Sequence, residues 1–352
     1  MYIVIAIIVF GILIASHELG HFTVAKLCGV KVNEFAIGMG PTLLKKQGKE
    51  TLYSWRLLPI GGFCAMEGED EDTGDPRAFS SQPKWKKLII LAAGATMNFL
   101  FGLLVVVILF ANSQGFVGNT VTELADGFPY GGQQGIMAGD EIYAVNGHRI
   151  HYSSDFTTFM ALDGDGVIDL TVRRDGQKLK FENFELKRHE YNDNGLTNLR
   201  YGLTFNLIPA TLGSKLTYSW RETTNFVRLI WISLGQIVTG QVGLKDMSGV
   251  VGIVSTVNDV GNAAESVRSG LWSVTYLFAF IAVNLAVMNM LPIPALDGGR
   301  IFLMIVTAIL EKIVGHKIDP KYEGYIHTAG LILLLGLMAV IMVSDVVKIF
   351  HG

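Results

Sequence analysis

The chain has 352 residues, half of them hydrophobic and 17% charged, with a net charge of −3 and a mean hydropathy of +0.40. These values describe a membrane protein with a sizeable polar portion, and they offer no basic footprint for nucleic acid. The two cysteines, Cys28 and Cys64, are too few for a disulfide scaffold or a cysteine-rich metal site and read as packing residues.

Tyr2 to Ser16 is an uncharged apolar run that leads straight into His17-Glu18-Leu19-Gly20-His21. No Lys or Arg precedes the run and no small-residue cleavage pattern precedes the His-Glu pair, so a retained helix is expected rather than a signal peptide. On a helix, His17 and His21 project from one face. There two imidazoles can hold one Zn²⁺ while Glu18 reaches its water as general base. Histidines at this spacing also decorate ordinary exposed faces. A His-Glu pair inside an uncharged membrane helix is costly without metal or polar partners, which favours the metal reading.

Four segments are apolar enough to span a bilayer: 2–25, 88–111, 271–291 continuing brokenly to 310, and 328–347. The loop after the first span is rich in Lys and Arg, from Lys26 to Lys87, which assigns it to the cytoplasm and the N-terminus to the outside. Arg300, Lys312, Lys317 and Lys321 place the loop after the third span on the same side, leaving residues 112–270 and the C-terminus outside. His17 then lies roughly 24 Å along its helix at 1.5 Å per residue, toward the cytoplasmic leaflet.

Within the first loop, Phe35 to Pro41 and Tyr53 to Gly62 alternate around Gly and Pro breaks, as short strands of a hairpin do. The acidic run Glu67 to Asp72 reads as a solvated loop. In the second span, Gly94 and Asn98 suit helix packing and an interhelical hydrogen bond. Residues 116–190 read as strands and turns, with Asn146-Gly147 and Asp175-Gly176 as hairpin turns. Phe226, Ile230, Leu234, Ile237 and Val238 then recur at helical spacing beside Arg221, Glu222, Arg228 and Gln236, which suits a helix resting on the outer leaflet, with an ordinary packed helix or a fifth span interrupted by Arg228 as the alternatives.

The third span contains Asn284 and then Asn289-Met290-Leu291-Pro292-Ile293-Pro294-Ala295-Leu296-Asp297-Gly298-Gly299. Its prolines prevent a regular helix and its glycines permit a tight path, so Asp297 can turn inward at the depth of His17. Such backbone is tolerated there only under cover of protein or water. His148, His151, His189, His316, His327 and His351 read as solvent-facing or interfacial.

Together these two signatures resemble the site-2 protease family of intramembrane zinc metalloproteases, and the order of elements resembles its bacterial RseP-type (regulator of sigma-E protease) branch from end to end. The resemblance implies a polytopic α-helical membrane protein with four transmembrane helices, an inserted extracytoplasmic β-rich PDZ domain and a membrane-associated β-hairpin after the first helix. It divides the chain into 1–111 with the zinc motif and hairpin, a PDZ domain at 112–190, a linker with amphipathic surface helices at 191–270, and 271–352 with the third zinc ligand. It implies zinc held by His17, His21 and Asp297, water activated by Glu18, and substrate contacts from Asn289, Asn284 and Asn98. Ala95 stands where the family's Gly-Pro-x-x-Asn element has Pro, which leaves Asn98 open between substrate contact and plain packing. Met247 to Ile253 resembles a family Leu-Ser-Gly-Pro-Val-Gly element with Val250 in place of Pro.

The implied setting is the bacterial inner membrane, with the active site toward the cytoplasm. The implied substrates are single-span membrane proteins already trimmed by another protease, such as an anti-sigma factor or remnant signal peptides. The PDZ domain would exclude bulky substrates or bind a peptide terminus. Three other readings compete: a catalytically idle membrane PDZ receptor with structural zinc, a sporulation-type relative, and a transporter. Intact Glu18 opposes the first, the inserted β-rich module the second, and the lack of visible inverted repeats the third.

Overall fold

The computed structural model describes residues 1–69, 73–193, 196–243, 249–316 and 321–351. The uncharged N-terminal run forms helix α1, Tyr2–Leu27, with Lys26 in its last turn where a cation complements the helix dipole. Strands β1, Val32–Gln47, and β2, Leu52–Met66, follow as the expected hairpin. It is more folded than a simple ribbon. Residues 34–37 are flanked by 62–65 on one side and 52–55 on the other, while 44–47 pair with 52–55. Gly38 and Gly40, at φ 86° and 82°, make the bend in β1. Helix α2, Lys84–Phe110, then runs beneath the hairpin's base, where Val32, Phe35, Cys64 and Met66 pack with Ala25, Ile90 and Leu91. Full burial of each larger apolar side chain there contributes about 1.5–3 kcal/mol.

The β-rich insertion comprises β3 (Gly115–Leu124), β4 (Glu141–Val145), β5 (His148–Arg149), α3 (Ser153–Asp163), β6 (Val167–Arg174), β7 (Gln177–Glu185), β8 (His189–Asp193), β9 (Leu196–Arg200) and β10 (Leu203–Pro209). Its main sheet has the order β10-β3-β4-β6-β7, with β5 on β4. Asn146-Gly147 and Asp175-Gly176 are tight turns with both residues at positive φ, as their sequences predict. The compact unit is Phe110–Asn225, because β10 returns past residue 190 to pair with β3. Its core includes Val121, Ile142, Ile150, Phe156, Ile168 and Leu170.

The second unit comprises Met1–Leu109 and Phe226–Gly352. Helix α4, Leu212–Val238, is followed by α5 (Val250–Asn262), α6 (Val267–Asn289), α7 (Asp297–Val314) and α8 (Lys321–His351). Phe226 and Ile230 of α4 are buried, and Phe226 meets Tyr276 and Phe280 edge-on, so this part of the amphipathic helix packs on α6 rather than resting on a lipid surface alone. Of the Leu-Ser-Gly-like element, Met247 and Ser248 lie outside the described residues. The Gly249 and Gly252 N–H groups each donate to Asp345 of α8 at 2.9 Å, which caps α5 from another helix.

Among the described residues, four helices are long and apolar enough to cross a membrane: Tyr2–Leu27, Lys84–Phe110, Val267–Asn289 and Gly324–Asp345. Tyr2, Ala6 and Leu13 of α1 pack against Val257 of α5 and Val274, Phe278, Ile281 and Ala282 of α6. Lipid gives such helices little hydrophobic drive, so close packing holds them together. The third span breaks where its prolines lie: α6 stops at Asn289 and α7 starts at Asp297. Gly298 and Gly299 sit inside α7 without left-handed φ. Their use is close approach, since a Cβ at Gly299 would fall 2.0 Å from the Ile293 carbonyl oxygen.

Candidate metal centre

His17 and His21 stand on successive turns of α1, four residues apart, with ring centroids separated by 4.8 Å. Their Nε2 atoms are 3.2 Å apart, and Oδ2 of Asp297 lies 3.2 Å from the first and 3.3 Å from the second. Zinc bonds of about 2.0–2.1 Å in tetrahedral geometry separate the ligand atoms by about 3.3 Å, so this triangle has the size of one tetrahedral face. Asp297 Oδ2 is buried without a hydrogen-bond partner. A carboxylate oxygen in that state is costly unless a cation rests against it. Two imidazole nitrogens and a carboxylate are a zinc donor set, and these residues fit the ion. Asp297 is also the first residue of α7, where the helix dipole favours negative charge.

The rings are oriented from behind. His21 Nδ1 lies 2.8 Å from the Ile90 carbonyl oxygen, and a ring N–H donated there leaves the Nε2 lone pair for metal. His17 Nδ1 faces the amides of Asn98 at 3.5 Å and Asn289 at 3.4 Å. Ser16 Oγ is 2.8 Å from both the Leu13 carbonyl oxygen and the Asn98 amide. Ser16 Oγ meets Oδ1 of Asn98 and so anchors the amide whose nitrogen stands beside His17 Nδ1.

Gly94 lets α2 pass over both rings: a Cβ there would lie 2.4 Å from His21 Nε2 and 2.6 Å from His17 Cε1. The sequence marks Gly94 only as a packing residue, because helical spacing says nothing about which neighbour it meets.

Glu18 borders a cavity of about 460 Å³ lined also by His17, His21, Asn289, Asp297 and Phe63 to Met66 of β2. Asn98 is buried behind the rings, and Asn284 is half-buried on α6 outside the cavity lining. Cys64, read as packing, is buried and also borders the cavity.

The acidic run is not simply solvated. Glu67 pairs with Lys31 at 2.9 Å, which with Asn33 holds its carboxyl down to about 2. Glu69 pairs with Arg300 at the cavity wall. Asp70, Glu71 and Asp72 lie outside the described residues, as does Lys317. Ser16, the Ile90 carbonyl and the Glu69–Arg300 pair carry no local signal that could have announced them.

The model of peptidase family M50 matches residues 5–337, and the chain belongs to that family, the site-2 proteases. It is an intramembrane zinc metalloprotease by that membership, and zinc is its cofactor. A candidate zinc metalloprotease of Clostridium acetobutylicum is 38% identical over 349 residues, covering 98% of this chain and 97% of that one. Another, from Clostridium perfringens, is 36% identical over 348 residues and 99% of each chain. The regulator of sigma-W protease RasP of Bacillus subtilis is 27% identical over 429 residues, 98% of each.

Proposed function

We propose that His17, His21 and Asp297 hold the catalytic zinc and that Glu18 is the general base of peptide hydrolysis in a transmembrane segment. The triangle of ligand atoms, 3.2–3.3 Å on each edge, carries this reading. Bound zinc supplies Lewis acidity toward water and the scissile carbonyl. The Glu18 carboxylate takes a proton from the attacking water and returns it to the leaving amine. Asn98 acts through His17 by fixing its ring. Asn289, at the cavity, holds the backbone of substrate, which must unwind because an intact helix hides its carbonyls in hydrogen bonds. Asn284 would meet substrate only further along α6.

The same reading assigns the substrate and setting. Substrates are single-span membrane proteins pre-trimmed by another protease, and the name of the RasP relative, regulator of sigma-W protease, supports a regulatory role for the cleavage. The site faces the cytoplasmic side of the inner membrane of a bacterial cell, with Phe110–Asn225 outside. That unit is a PDZ domain that gates by size; its removal should let untrimmed substrate be cut, and an unchanged preference for trimmed substrate would refute the gate. The hairpin dips into the bilayer, a role supported by exposed Met39, Leu43, Leu44, Leu57 and Leu58.

The deciding experiment is Glu18→Gln in the full chain. Zinc content should stay at the wild-type level while cleavage of a membrane-spanning reporter falls by about 10²–10⁴-fold or more. Wild-type cleavage would remove Glu18 as the base.

A further inference from the structure

We infer that His327 and Gly330, on the last membrane helix, are positioning residues for the segment that presents Asp297, an inference that rests on the ligand set proposed above. Two residues before Asp297, Ala295 has φ 76°. Among the described residues, the other non-glycine positions with positive φ are Asn146, Asp175 and Asn183. Asn and Asp tolerate that region because their short side chains bond locally. Alanine has no such group, and the conformation costs it about 1–2 kcal/mol. A turn closed by the Leu296 N–H on the Ile293 carbonyl oxygen at 3.2 Å holds it from within, and a second support lies outside the segment.

It comes from α8. The Ala295 N–H donates to Nδ1 of His327 at 3.2 Å. Three residues along the same helix face, a Cβ on Gly330 would lie 2.2 Å from Pro294 Cβ and 3.1 Å from the Pro294 backbone. One face of α8 therefore rests directly on the Pro294-Ala295 link. Little other packing surrounds this contact, since the described residues of α8 are mostly exposed or half-buried, with Ile341 and Asp345 buried near its far end. His327 also lies outside the metal cavity, bordering a neighbouring one of about 610 Å³. It acts through Ala295, neither ligating metal nor touching the reacting atoms. His327 is half-buried and stands outside the clustered metal-ligating groups. A ligand on irregular backbone keeps its place only while the strained turn before it is held.

The test uses the detergent-solubilised full chain, with zinc affinity measured by chelator competition beside melting temperature, kcat and KM on a transmembrane reporter. His327→Leu should lower zinc affinity by about 10–100-fold and lower kcat, leaving KM and melting temperature near wild type. His327→Asn, whose Oδ1 can accept in place of Nδ1, should restore most of the affinity. Adding Ala295→Gly to His327→Leu should recover part of it, because glycine adopts positive φ without strain. Wild-type zinc affinity in His327→Leu would overturn the proposal. Should that variant fail to fold, Gly330→Leu decides by the same readout, reduced affinity supporting the clamp and wild-type affinity refuting it. A His17→Ala control separates the failures: zinc retained there sinks the ligand set and this inference with it, whereas zinc lost there but kept in His327→Leu sinks the clamp alone.

Discussion

His17 and His21 belong to a helix of 26 regular residues, whereas Asp297 follows the irregular stretch from Met290 to Leu296. On α1 the spacing of two ligands is set by the helix itself, which puts residues four apart on one face. On the proline-broken side no helical repeat sets the position of Asp297: short turns such as Leu296 N–H to the Ile293 carbonyl at 3.2 Å and the close approach of Gly299 to Ile293 do part of it. The backbone there is also shaped by contacts with other elements, among them α8 at Pro294 and Ala295. A metal centre built from both kinds of backbone should fail differently on each side: by crowding or misorienting the rings on the helix, and by loosening on the loop.

The largest effect on the helix side is expected from Gly94→Ala. Its new methyl has no room beside His21 Nε2 and His17 Cε1, and overpacking of this kind costs about 1–3 kcal/mol. The variant should lose both bound zinc and cleavage, as read by metal content and reporter turnover; normal zinc content would show that the rings do not stand against α2. A smaller effect is expected from Asn98→Leu, which removes an orienting partner of His17 but no ligand. Zinc affinity should fall by about 10–100-fold with the fold intact, and an unchanged affinity would leave Asn289 as the sole amide orienting that ring.

The smallest effect lies beyond the site, at the junction of α1 with the hairpin. Glu50 is held down to about 2, first by its hydrogen bond to Lys26 and next by Arg77. Its folded pKa lies below the unfolded value, so the stabilisation is complete above the unfolded pKa and is lost as pH falls through about 2. Glu50→Gln should therefore lower the melting temperature slightly at pH 6, with the difference vanishing in strong acid and zinc content unchanged at pH 6. A difference that grows on acidification would contradict the sign. Partial exposure of all three side chains keeps this effect small.

The contrast between the two backbones also explains what could be read in advance. Apolar runs long enough to span, the helical spacing of His17 and His21, the Asn-Gly and Asp-Gly turns and the proline break before Asp297 are all local patterns, and local physics suffices to read them. Gly94 is different. Its meaning depends on the rings of another helix. Glu69 and Arg300 are separated by 231 residues, and an acidic run gives no hint that one member turns to a cavity wall. The return of β10 to β3 past residue 190 was likewise invisible, because strand pairing at a distance is set by the sheet and not by the strand. His327 stayed hidden for the same reason: its partner is a backbone N–H, which has no signature in sequence.

The convergence of His17, His21 and Asp297 on one ion is tested most directly by zinc-edge X-ray absorption of the purified wild-type chain. The account predicts one zinc per chain with only nitrogen and oxygen neighbours at about 2.0–2.2 Å and the scattering signature of two imidazoles. A sulfur neighbour at about 2.3 Å, for which Cys64 at the cavity wall is the available source, or a spectrum with a single imidazole, would contradict it.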